Sequence, residues 1–271
     1  MNELLHVPDG AFFDLALNGA VLELSFNQPE RRNPLGYRTV TGLVDTLRRA
    51  DLSDEVRCVL IYGQGGAFTA GADLAEFSSQ LDGSAYEFHA TGDAWASLLT
   101  LIPRLSKPVV VAAHGYAMAG GVGILAVADV ALAAEKTTFA SSEVRIGLFP
   151  LMILPALSQA VGPRRARELA LTGRRFSADE ALRIGLVHET VDDEVLLEAA
   201  RSRATDLAAL GKVTLALGKA FLHDIDGLPR ESATQLGRAV RGAFMTSPDF
   251  QAGVSAFLSK STAPAVDHVE K

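Results

Sequence analysis

The chain predicts an α/β fold with parallel strand pairing, on three observations. Two apolar runs of strand length, Cys58-Val-Leu-Ile-Tyr62 and Val109 to Ala113, each leave through a cluster of glycines toward a stretch that can carry a helix. Helical stripes precede them: Val40, Leu43, Val44 and Leu47 before the first, and Phe88, Trp95, Leu99 and Ile102 before the second. Strand, helix and strand therefore alternate, and strands joined by helices pair in parallel.

In chain order, Val21-Leu-Glu-Leu-Ser-Phe26 alternates apolar and polar residues and reads as a half-exposed strand that Asn27-Gln-Pro29 ends. A helix over about Tyr37 to Ala50 leads to the Cys58 strand. The Trp95 helix, its tryptophan expected in the core, stops at Pro103, and Ser106-Lys-Pro108 turns the chain into the Val109 strand. Val130 to Ala134 and Thr138-Phe139 add short strands, and no fixed repeat period is visible. Ser177-Ala-Asp-Glu180 is a capping box for a short helix ending at Gly185, and Val187 to Val191 gives a last strand. From about Asp192 helices dominate: Leu196 to Leu210, Val213 to Leu222, Leu236 to Phe244, and Pro248 to Leu258 with Ser247 as N-cap. Residues 1–191 thus form the core and 192–271 a helical appendage, with Ser261 to Lys271 polar and frayed.

Bulk properties exclude several classes. With 271 residues, 48% of them hydrophobic, the chain can bury a sizeable core. A net charge of −7 argues against nucleic-acid binding. The single cysteine, Cys58, sits in an apolar strand, so neither an intramolecular disulfide nor a catalytic thiol is expected. No apolar stretch approaches the ~20 residues of a membrane span, and Met1-Asn-Glu-Leu-Leu-His lacks the features of a signal segment, so the expected location is the cytoplasm. His89, His114 and His188 stand apart from one another, and no metal site is expected.

Chemistry concentrates where the two strands exit. Gly115, Gly120, Gly121 and Gly123 let a ligand approach the backbone, and a helix N-terminus there offers free N–H groups to an oxygen. Gly63-Gln-Gly-Gly66 followed by Ala67-Phe-Thr-Ala-Gly-Ala-Asp-Leu74 is a second exit of the same kind, so two loops can each give one N–H to a single oxygen. With Phe68-Thr-Ala-Gly-Ala-Asp-Leu74 and His114-Gly-Tyr-Ala-Met-Ala-Gly-Gly121 in these places, the chain resembles the enoyl-CoA hydratase/isomerase (crotonase) family from about Val21 to Glu189.

That resemblance implies a crotonase-like spiral of ββα units with a C-terminal helical oligomerisation region, assembled as a homotrimer or a dimer of trimers. It implies an acyl-CoA thioester as substrate, with coenzyme A as part of that substrate and no separate cofactor. The backbone N–H groups of Ala72 and Gly120 become the oxyanion hole, Glu143 the general acid/base, and Ala70, Gly71, Ala72, Asp73 and Leu74 the wall along the thioester and adenine. Because the net charge repels coenzyme A, a local cationic pair is needed, and Arg31 and Arg32 supply a candidate. Holding a thioester oxygen by such donors is worth roughly 3–4 kcal/mol each. It acidifies the α-proton and activates an unsaturated β-carbon.

Two departures from the family pattern bear on the reaction. Hydratases of the family carry a second glutamate three residues beyond the oxyanion-hole glycine, where this chain has Gly123. Hydration by paired carboxylates is thereby put in doubt, whereas one carboxylate suffices to move a proton between two carbons. Asp129 reads as a helix-end or loop residue and Glu76 as a surface one. The other departure is Pro150-Leu-Met-Ile-Leu-Pro155, in place of a glycine-rich run, which predicts an apolar wall that raises the pKa of Glu143. The alternative to an enzyme is a non-catalytic acyl-CoA-binding or scaffold protein of the same fold. A dinucleotide-binding dehydrogenase is disfavoured because G-x-G-x-x-G spacing is missing.

Overall fold

A computed structural model describes residues 3–79 and 85–259. The polar tail from Ser261 and the side chain of Phe88 lie outside the described residues. In chain order the elements are β1 (Phe13–Asn18), β2 (Val21–Phe26), β3 (Pro34–Leu35), α1 (Tyr37–Leu52), β4 (Cys58–Gly63), β5 (Gly71–Ala72), α2 (Leu74–Ser79) and α3 (Ala85–Leu101). There follow β6 (Val109–Ala113), β7 (Tyr116–Met118), α4 (Gly120–Val127), β8 (Val130–Ala134), β9 (Thr138–Ala140), α5 (Leu154–Val161), α6 (Pro163–Thr172), β10 (Phe176–Ser177), α7 (Ala178–Ile184) and β11 (Glu189–Val191). The chain continues into α8 (Leu196–Ala209), α9 (Lys212–Asp224), α10 (Arg230–Met245) and α11 (Pro248–Leu258).

A six-stranded sheet ordered β1-β2-β4-β6-β8-β11 forms the main layer, parallel throughout except for the β1–β2 hairpin. Each long strand is followed by a short one in a second layer: β3 with β5, and β7 with β9 and β10, the two groups joined by a bridge between Thr69 and Ala117. A strand in each layer and then a helix make one turn of the crotonase-like spiral. The long strands of successive turns begin at residues 21, 58, 109 and 130, and these unequal intervals are why the sequence has no fixed period.

Side-chain alternation along the parallel strands divides the apolar residues between two cores. Val59, Ile61, Val109 and Val111 point into the larger one, against α1, α3 and α4. Cys58, Leu60, Val110 and Ala112 point to the other face, which Leu196, Ala200 and Ala204 of α8 cover. Burial and the charge of Asp129 push the Cys58 thiol up to about 12, as befits a core residue.

Coverage by α8 corrects the reading of β2 as half-exposed: all six of its residues are buried. Glu23 is tolerated there because Arg201 of α8 binds it through two nitrogens at 2.8 Å, with Asn18 and Tyr62 donating as well. Burial pushes the Glu23 carboxyl up, but these partners outweigh it and hold the group below the usual range. Its contribution to stability is therefore present above the carboxylate range and lost as pH falls through it.

Asp129 is a strut rather than a loop residue at large. Its carboxylate accepts the N–H of Val109 at 2.7 Å and pairs with the buried Lys219, tying α9 to the sheet. Caps fall where expected: Ser177 and Ser247 accept from Glu180 and Phe250, each at 3.2 Å. Glu76 caps the start of α1 by accepting the N–H of Tyr37 at 2.8 Å.

Candidate active site

Two strand exits meet here because small residues let them. Gly71 has φ +91°, and a Cβ on it would lie 2.9 Å from the Cβ of Ala119 and 3.0 Å from the carbonyl of Met118. Thr69 binds the second exit on both sides, donating its N–H to Tyr116 and accepting from Met118 at 3.0 and 3.1 Å. The stretch from Tyr116 to Met118, read as part of a glycine turn, is thus a strand. Behind the first exit, buried Asn33 donates to the carbonyls of Gln64 and Ala67, and the Arg32 carbonyl accepts from Ala70.

Helix α4 starts abruptly. Ala119 at its N-cap has φ 46° and ψ −112°, a conformation rare outside glycine, held by its N–H to the Ala140 carbonyl at 2.8 Å. Its carbonyl takes the N–H groups of Val122 and Gly123. Among the described hydrogen bonds the N–H of Gly120 has no acceptor, as expected of a first-turn donor. In the β3–β5 ladder the Leu35 carbonyl accepts from Asp73, so the N–H of Ala72 points away from β3.

Ala72, Gly120 and Glu143 line one cavity of about 310 Å³, with Phe77, Trp95, Leu148, Phe149 and the segment Pro150 to Ile153 around them. Glu143 opens a short 3-10 helix that Gly147 closes in the left-handed region and that Arg145 anchors to the Gly173 carbonyl at 2.7 Å. Burial pushes the Glu143 carboxyl above the usual range. Its own N–H and the Ser141 hydroxyl, 3.2 Å from Oε2, pull the other way without cancelling the effect. The apolar run from Pro150 to Ile153 lines the same cavity as Glu143.

The remaining sequence-predicted positions stay outside the cavity. Gly71 is buried beneath the second exit, whereas Ala70 and Leu74 are exposed. Asp73 holds the Arg31 guanidinium at 2.9 and 3.0 Å, and Arg32 lies over the Tyr116 ring at 5.1 Å. Arg31 and Arg32 are thus a partnered pair on the rim rather than free cations. The histidines are scattered: His89 pairs with Asp93, His114 bonds the Gly65 carbonyl and His188 accepts from Ala131. Among the described residues no group of three or more His, Cys, Asp or Glu is placed to hold a metal.

Two placements in the site escaped sequence reasoning. Trp95, expected only in the core, also lines the cavity and presses on Gly120, where a Cβ would lie 2.2 Å from its ring. Ile153 occupies the space in front of Gly123: a Cβ there would fall 2.5 Å from Ile153 Cγ2 and 3.4 Å from Leu99 Cδ2. An aliphatic side chain therefore fills the place where a carboxylate at 123 would begin. Among the described residues the arrangement offers two backbone donors and one desolvated carboxylate around an apolar cavity, which can polarise a carbonyl and move a proton next to it.

Comparison with known proteins identifies the class. The enoyl-CoA hydratase/isomerase family profile matches residues 16–266, and the chain belongs to that family. It is accordingly an enzyme of the hydratase/isomerase type acting on acyl-CoA. Crotonyl-CoA hydratase of Syntrophomonas wolfei is 31% identical over 89% of this chain and 92% of its own length. The 1,2-epoxyphenylacetyl-CoA isomerase of Escherichia coli is 30% identical with the same coverages. The crystal structure of an enoyl-CoA hydratase from Mycobacterium smegmatis superposes with a TM-score of 0.87 at 30% identity, covering 92% of this chain and 96% of the other.

The packing at Gly123 makes a definite prediction. Gly123→Glu should lower stability by about 3 kcal/mol or more, through overpacking against Ile153 and burial of a charge, and should not raise hydration of crotonyl-CoA. Chemical denaturation together with a hydration assay checks both. An unchanged midpoint, or a gain in 3-hydroxyacyl-CoA formation, would show that the pocket has room for the carboxylate.

Proposed function

We propose that this enzyme moves protons within an acyl-CoA thioester, shifting a carbon–carbon double bond, rather than adding water across one. The thioester oxygen sits between the N–H groups of Ala72 and Gly120, which take up negative charge as the α-proton leaves. Glu143 removes that proton and returns it at another carbon. The observation that carries this reading is the pairing of Glu143 with an apolar counterpart: the partner position is Gly123, backed by Ile153 and Leu99. Among the described residues of the cavity, water has no second carboxylate to orient it, while a single base serves both ends of a proton shuttle.

The raised pKa suits this role, since a base of ordinary glutamate strength is too weak to take a carbon acid's proton near neutrality. Arg31 and Arg32 stand at the rim on the Ala70 to Leu74 side, where the phosphates and adenine of coenzyme A would pass. Arg31 remains 43% exposed although it is paired with Asp73, so phosphate oxygens can reach it. That one relative is named a 1,2-epoxyphenylacetyl-CoA isomerase supports isomerisation of an acyl-CoA on this scaffold.

We assign the C-terminal region from residue 192 to a trimer or a dimer of trimers. The stripe of Leu236, Val240 and Phe244 on α10 is only half-buried, with α9 and α11 beside it. Leu222, Met245, Phe250, Val254, Phe257 and Leu258 are exposed, more apolar surface than an isolated helical region usually leaves to water.

Glu143→Gln should retain the fold and acyl-CoA affinity while lowering isomerisation by about 10²-fold or more. The wild-type rate should rise with pH through a limb above the usual glutamate range, because the base must be ionised, and that limb should vanish in the variant. Turnover within about twofold of wild type would assign the proton to another group. Sedimentation equilibrium should give a species of trimeric order at micromolar concentration, and a monomer there would contradict the assembly.

A further inference from the structure

The backbone around Ala72 is fixed differently on its two sides. Upstream the ties are buried: the Thr69 hydroxyl donates to the Asn33 carbonyl at 2.6 Å and accepts the N–H of Gly71 at 3.0 Å, and the N–H of Ala70 meets the Arg32 carbonyl at 2.7 Å. Downstream, α2 opens on Leu74 and Ala75, which are exposed. Among the described hydrogen bonds, those that reach from residues 73–79 to the rest of the chain start at Asp73 and Glu76.

Both carboxylates land on one segment, residues 31–37 between β2 and α1. Asp73 takes the Arg31 guanidinium at 2.9 and 3.0 Å, and its N–H donates to the Leu35 carbonyl at 3.4 Å. Its Oδ1 also accepts the N–H of Ala75 at 3.0 Å, so the ion pair and the first turn of α2 share one anchor. Glu76 Oε2 reaches the N–H of Tyr37 at 2.8 Å past Gly36, where a Cβ would fall 2.5 Å from that oxygen. Neither carboxylate lines the catalytic cavity.

The Arg31–Asp73 pair gives the fold little, because Arg31 is 43% exposed and an ion pair open to water adds little stability. What it fixes is position. Asp73 follows the donor residue directly in the chain, and a misplacement of about 1 Å at a reacting centre can cost about a hundredfold in rate.

We propose that Asp73 and Glu76 are positioning residues: clamped to Arg31 and to the N–H of Tyr37, they hold the Ala72 N–H where the thioester oxygen develops its charge. This rests on the acyl-CoA reading, with Ala72 as a donor, and adds which side chains keep that donor in place.

The test uses the full chain with Asp73→Asn, Glu76→Ala and the two combined. Asp73→Asn keeps an oxygen for the Ala75 N–H but removes the charge on Arg31, and Glu76→Ala removes the acceptor of the Tyr37 N–H. Three quantities are read: kcat on an enoyl-CoA ester, affinity for a saturated acyl-CoA, and the infrared carbonyl frequency of a bound enoyl-CoA labelled with carbon-13 at the thioester. Each single variant should lower kcat about tenfold, and the double about a hundredfold, with affinity within about threefold. The carbonyl frequency, lowered when wild type binds the ester, should move back toward its value in water. Glu76→Gln, which keeps an acceptor, should stay within about twofold of wild type, and the melting midpoint of Asp73→Asn should lie within about 3 °C. A double variant within twofold of wild type in kcat overturns the proposal, as does a loss of kcat with the carbonyl frequency unmoved, which would make the two residues supports of the fold alone. Wild type that binds the ester without lowering its carbonyl frequency overturns Ala72 as a donor. Wild type that binds no acyl-CoA overturns the acyl-CoA reading itself, and the clamp with it.

Discussion

Everything in the site depends on two backbones touching. Gly71 lies against Ala119 and Met118, and Gly115, with φ +60°, lies so close to the Gly66 carbonyl that a Cβ would sit 2.0 Å from it. These contacts pull the exits of β4 and β6 together below the distance that side chains permit. They also place Ala72 and Gly120 on one cavity wall. The sheet supplies the rigidity: four consecutive parallel strands buried on both faces hold the exits in register. The strained turn at Ala119 is sustained by that frame, through its hydrogen bond to Ala140 in the neighbouring β9.

Electrostatics then separates two carboxylates by environment. Glu23 has almost no exposed surface, yet Arg201, Asn18 and Tyr62 keep it ionised. Glu143 has only a serine hydroxyl and its own N–H against an apolar wall, so burial prevails and its proton is held more tightly. A carboxyl shifted upward by the fold contributes stability that is full at low pH and lost as pH rises through its range, which is the reverse of Glu23. The cavity thus gives up some stability at neutral pH by burying a carboxyl that holds its proton more tightly. Ile153 serves both ends of this design, drying the cavity and closing the space before Gly123.

Much of this was legible in the sequence because it is written in local patterns. The strands at Cys58, Val109 and Val130, the stripe of α1, and the caps at Ser177 and Ser247 follow from periodicity and turn chemistry. What escaped depends on partners distant in the chain. The exposed side assigned to β2 is covered by α8, some 178 residues away at the Glu23–Arg201 pair, and no local pattern in Leu-Glu-Leu-Ser predicts a buried ion pair. Strand β1 did carry a signal, the Asn18-Gly19 turn ahead of Val21, with Gly19 at φ +59°. In the site, Glu143 and the two exits were found by motif, and the Pro150 to Pro155 run by its bulk. The place of Ile153 opposite Gly123 is tertiary, as is the partnering of Arg31 by Asp73 across 42 residues.

The central claim is that a desolvated Glu143 moves protons in a cavity whose described residues offer water no second carboxylate. Incubating the enzyme with straight-chain 2- and 3-enoyl-CoA esters in deuterium oxide enriched in oxygen-18, with mass spectrometry of the products, separates the two chemistries in one experiment. As the double bond shifts back and forth and the proton on Glu143 exchanges with solvent between turnovers, deuterium should enter the α- and γ-carbons, with heavy oxygen incorporated at least about a hundredfold more slowly. Heavy oxygen appearing at the β-carbon as fast as deuterium enters the chain would contradict it, and would mean that a water is held and activated in this cavity by some group other than a carboxylate at 123.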